Sequence, residues 1–158
     1  MPAAKREGAS DISPDRMLLI VIGAHLRAEV HDRPLGYRLS AEVIEWNRGK
    51  TAGENGEPSA ELLEPVVCTD LWFLNQPELL ERPAIAVGAP GVNAATAHFA
   101  NRLPVSFMIE AVLEVRMDLE ARVPAASMWG IDREATAAAV ATFIERYMGE
   151  FLRVGNGI

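Results

Sequence analysis

Residues 17–22, Met-Leu-Leu-Ile-Val-Ile, are apolar without interruption and stop at Gly23. A run of this length before a turn residue suits a strand, although a buried helix turn would be equally apolar. A strand that is apolar at every position needs cover on both faces, as in a parallel sheet flanked by helices. Two further blocks repeat the pattern. Val66-Val-Cys-Thr69 ends at Asp70, and Ala84-Ile-Ala-Val87 ends in the turn signal Gly88-Ala-Pro-Gly91.

Helical patterns lie between these blocks. Asp32 is placed to cap a helix with Pro34 in its first turn, and Leu35, Leu39, Val43 and Trp46 form one apolar stripe up to Asn47-Arg48-Gly49. Residues 48–58, with Gly49, Gly53, Gly56 and Pro58, read as a surface excursion, followed by a short turn capped by Ser59. Leu71 to Asn75 either extends the second strand or forms a packed loop. A helix is expected from the Gly91–Asn93 region to Leu103, where Pro104 ends it. Over 105–118, apolar Phe107, Ile109, Ala111, Leu113, Val115 and Met117 alternate with polar residues. That alternation favours a half-exposed strand, although the Glu, Ala, Leu and Met content would also suit a helix. Ala125–Trp129 reads as a fifth strand, and no helix-length segment separates it from the fourth, so those two should pair antiparallel. Asp132 then caps a final helix carrying Val140, Phe143, Ile144, Tyr147, Phe151 and Leu152 at three-and-four spacing, with Gly155 just past its end.

The expected fold is an α/β three-layer sandwich: a mostly parallel central sheet of about five strands with an antiparallel pair near the C-terminus. Residues 1–15, small, polar and aperiodic, read as a mobile tail, and 16–158 as a single domain.

Composition narrows the function. A domain of 158 residues buries enough surface to stand without disulfides, and the single cysteine, Cys68, rules out an internal disulfide or a cysteine-cluster metal site. The net charge of −7 argues against nucleic acid. No apolar run approaches the ~20 residues that span a bilayer, and Lys5 and Arg6 are followed by polar residues rather than a signal-peptide core. A cytoplasmic protein without a membrane partner is expected. His25 and His31 do not match the common spacings of metal ligands, so no metal is expected either.

In open α/β sheets, ligands bind beyond the carboxyl ends of the strands. That rule collects His25, Arg27, Glu29, His31, Asp32 and Arg33 after the first strand, and Asp70, Trp72 and Asn75 after the second. Gly88, Pro90, Gly91 and Asn93 follow the third, and Trp129 and Asp132 the fifth. From this set, His25, Arg27, Asp70, Asn75, Gly88, Gly91 and Asn93 are the expected ligand-binding residues. A strand–glycine–helix turn offers backbone N–H groups and a helix dipole to an anion. It carries neither the dinucleotide fingerprint nor a P-loop, and Pro90 removes one donor. Each residue also has a plainer reading: Asp32 and Asp70 as caps, the arginines as surface ion pairs, Cys68 as a core thiol. The expected function is binding of an anionic or nucleotide-like small molecule at this edge. The alternative is a non-catalytic interaction protein that forms a homo-oligomer through its sheet edge or a helix face.

Overall fold

The computed structural model describes residues 12–51 and 62–158. The expectations for residues 1–11, for 52–58 of the excursion and for the Ser59 cap lie outside the described residues.

The three apolar blocks form strands β1 (Met17–Ile22), β2 (Glu64–Thr69) and β3 (Ala84–Val87). The fifth-strand segment and the alternating segment before it supply the rest: β4 (Val105–Ile109), β5 (Leu113–Asp118) and β6 (Ala125–Gly130). The sheet order is β2-β1-β3-β6-β5-β4. The first four of these strands are parallel, and β5 and β4 follow antiparallel, as the sequence led us to expect.

The sheet has six strands rather than five because the alternating segment is a hairpin. Residues 110–112 turn the chain, with Ala111 at φ 60°. The turn contains no Gly, Pro or Asn, and the alternation continues through it, so a period-two pattern reads as one long strand.

Helices cover both faces. The strand-to-helix stretch 23–33 is itself largely helical: α1 (Leu26–His31) leads almost directly into α2 (Arg33–Thr51). Asp32 therefore does not act as the expected N-cap. Its backbone is helical at φ −95°, ψ −32°, whereas a capping residue takes an extended conformation. Residues 71–74 extend no strand. They belong to α3 (Asp70–Leu74), capped by the Thr69 hydroxyl, which accepts from the Trp72 N–H, and α4 (Pro77–Leu80) follows. The helix after β3, α5 (Ala94–Phe99), starts later and ends sooner than expected. The final helix is broken at Tyr147 into α6 (Arg133–Arg146) and α7 (Met148–Asn156). Gly155 lies inside α7, and the left-handed residue that ends it is Gly157.

Successive β1 residues point to opposite faces. Leu18, Ile20 and Ile22 pack with Leu39 and Val43 of α2, Val140 and Phe143 of α6, and Phe151 and Leu152 of α7. Leu19 and Val21 pack with Phe73 of α3, Leu79 of α4, and Ala95 and Phe99 of α5. Every one of these side chains is buried, and each large one contributes about 1.5–3 kcal/mol to the core.

Candidate functional site

The four parallel strands end on one edge, and the directions taken by the chain beyond them create an opening there. After β1 the chain turns onto the face of α1 and α2, and after β6 onto that same face with α6. After β3, which lies between them, it crosses to the opposite face with α5. The space above the end of β3, between α1–α2 and the start of α6, is left without a helix. A cavity of about 360 Å³ occupies it. This is the kind of position where open α/β sheets hold ligands, and the volume lies at the small end of the range for ligand pockets.

Three segments line the cavity. The first connection contributes Arg27, His31 and Asp32, the turn after β3 contributes Ala89 and Val92, and the start of α6 contributes Gly130 to Arg133 with Thr136. Asp32 is 6% exposed and has no side-chain hydrogen bond among the described residues. Burial pushes its carboxyl up to about 6, against a smaller opposing pull from His31. Gly88, at φ +117°, lies directly against it: a Cβ there would stand 2.5 Å from Asp32 Oδ2. Glycine is thus required at position 88 both by backbone conformation and by the nearness of the carboxylate. His31 Nδ1 is buried without a hydrogen-bond partner among the described residues.

The α6 wall is already engaged internally. The Asp132 carboxylate accepts from the Ala135 N–H at 2.8 Å. The Thr136 hydroxyl accepts from the Gly130 N–H at 3.0 Å and donates to the Asp132 carbonyl at 2.9 Å. At the rim, Arg27 and Arg133 are exposed, and neither guanidinium has an ion pair among the described residues. Arg33 differs, since its guanidinium is paired with Glu29 at 2.7 and 2.9 Å.

Of the residues expected to bind a ligand, Arg27 lines the cavity and Gly88 backs it through Asp32. Asp70 and Asn93 lie at the same edge but are consumed by the backbone. Asn93, buried, donates from Nδ2 to the carbonyls of Val21 and Val87, both at 2.9 Å, so its amide bridges the ends of β1 and β3. Its Oδ1 accepts from the N–H groups of Ala95 and Thr96. Asp70 accepts from the N–H groups of Ala24 at 2.9 Å, Leu71 at 2.7 Å and Ala94 at 2.7 Å. His25 is exposed and caps α1, its Nδ1 accepting from the Arg27 N–H at 3.1 Å. Gly91 is exposed on the turn after β3, and Asn75 is exposed at the end of α3 on the other face of the sheet.

His31, Asp32 and Asp132 were within reach of the strand-end rule, but nothing in the sequence separates a capping aspartate from one that faces a cavity. Arg133, Thr136 and Ile131 carried no signal beyond lying just after a strand. Among the described residues no group of three or more His, Cys, Asp and Glu side chains is placed to hold a metal ion, and no helix is long and apolar enough to cross a membrane. The Cys68 thiol is buried, and that burial pushes it up to about 12, far from a reactive thiolate at neutral pH. The chain matches no protein-family model, and no curated protein is similar to it in sequence.

Proposed function

We propose that the protein binds an anionic small molecule in the cavity above β3. The observation that carries this reading is a pair of guanidiniums without an ion pair among the described residues, Arg27 from the first connection and Arg133 from the start of α6, lining one concave space. The first N–H groups of a helix have no acceptor within it, and the helix dipole favours negative charge at that end. With a net charge of −7 the molecule as a whole repels anions, so affinity has to come from these local donors. A small acid suits the space better than a nucleotide, because among the described residues no Phe, Tyr or Trp ring lines it for a base to stack on. Calorimetric titration with inorganic phosphate and simple carboxylates tests the reading. Wild type should bind at least one, and Arg27→Gln and Arg133→Gln should each weaken that binding several-fold without lowering the melting temperature. If wild type binds no anion, or both variants bind as wild type does, the reading fails.

A second reading rests on the outer edge of the sheet. Val105, Met108 and Ile109 of β4 are 44%, 54% and 47% exposed, and among the described residues β4 has a neighbouring strand on one side alone. An apolar, unpaired edge strand is a template for pairing, and two copies of β4 could pair antiparallel about a twofold axis. Light scattering during gel filtration decides it: a dimer that Ile109→Lys converts to monomer supports the pairing, and a monomeric wild type excludes it.

A further inference from the structure

From Asp32 we infer that the ligand is a dipolar amino-carboxylate, with its acidic group at the rim of the cavity above β3 and its ammonium on the floor. The inference rests on the anion-binding reading above and goes beyond it by specifying the second pole. Asp32 is 6% exposed as a residue and borders the cavity, and its carboxylate accepts no hydrogen bond among the described residues, so it lacks the partner that such groups normally have. Binding a simple anion would worsen its position by adding a like charge nearby. A ligand ammonium would supply both an opposite charge and donors, and charge-assisted bonds of that kind are the strong ones.

The walls between the two poles narrow the class. Ala89, Val92 and Ile131 are apolar, and the Thr136 hydroxyl is already spent on Gly130 and Asp132. A short aliphatic body meets like with like on these walls. Asp32 stands against Gly88 at the end of β3, while α6 begins after β6, the next strand. Neighbouring strands lie about 4.8 Å apart, so a ligand that reaches from one pole to the other needs a body between its charged groups. An amino-carboxylate with two or three methylenes between its charged groups spans the gap better than glycine does.

The test is a calorimetric series on the full-length protein at pH 7.5 using glycine, β-alanine, 4-aminobutanoate, butanoate, butylamine and inorganic phosphate. The expected result is that β-alanine or 4-aminobutanoate binds at least tenfold tighter than butanoate and butylamine. Asp32→Asn should erase that preference, while Asp118→Asn, a carboxylate outside the cavity whose Oδ1 accepts from the Glu120 N–H, should preserve it. Melting temperatures of both variants establish that they are folded. If butanoate or phosphate binds as tightly as every amino-carboxylate, or if the preference survives Asp32→Asn, the dipolar ligand is wrong and the anion site stands. If wild type binds none of the six compounds, both readings fall.

Discussion

Asp32 and Asp70 are the same residue type at the same edge of the sheet, and they differ in what meets their oxygens. Asp70 satisfies three backbone N–H groups from three segments. Asp70→Ala would leave these three donors without their acceptor, and we expect a loss of about 1–2 kcal/mol, read from urea denaturation. Asp32 satisfies none, and its titration gives the opposite sign. Its folded-state carboxyl sits at about 6 against 3.8 for a free aspartate, so between those values the folded state binds more protons than the unfolded one. The contribution of Asp32 to stability is therefore intact below pH ~4 and is lost as pH rises through about 6. Asparagine resembles the protonated acid. The Asp32→Asn variant should match wild type near pH 4 and exceed it at pH 8 by about 1–3 kcal/mol. Comparing the two proteins across pH isolates this term from His31, Arg27, Asp132 and Arg133, which also face the cavity. Wild type and variant with equal stability at pH 8 would show that Asp32 has a partner.

At the scale of elements, helix ends and turns decide what the apolar pattern leaves open. The pattern over 133–152 is one stripe, yet the helix breaks at Tyr147, whose hydroxyl donates to the Ser106 carbonyl at 3.1 Å and ties the break to β4. Tyr147→Phe should cost about 0.5–1.5 kcal/mol and raise amide exchange in β4 more than in β1. Equal exchange increases in both strands would show that the bond does not anchor the edge. The hairpin of β4 and β5 shows the same limit, because alternation states which face a residue occupies and says nothing about when the chain reverses.

For the molecule as a whole, the sheet separates two cores that share its strands. Phe143 lies in one and Phe73 in the other, 0% and 1% exposed. Each Phe→Ala change should cost about 3–5 kcal/mol. With the sheet between them, the double variant should lose the sum to within about 0.5 kcal/mol, provided unfolding remains two-state. A shortfall well beyond that margin in chemical denaturation would mean that one core has already relaxed when the other is damaged.

The parallel strands β1, β2 and β3, the burial of β1 and β3 and the two-sided cover were legible in residues 17–22, 66–69 and 84–87, because apolar run length and turn residues act locally. The carboxyl edge was also legible as the place to look, and Arg27 was drawn from it. The cavity itself was not. It exists because the chain leaves β3 for one face while both flanking connections take the other, a choice made by packing across the sheet rather than by any residue in the turn. The same packing assigns the aspartates their parts. Asp70 falls beside three N–H groups and Asp32 beside a void, and a side chain's hydrogen-bond partners are brought to it by segments distant in sequence, 46 residues away in the case of Ala24 and Asp70.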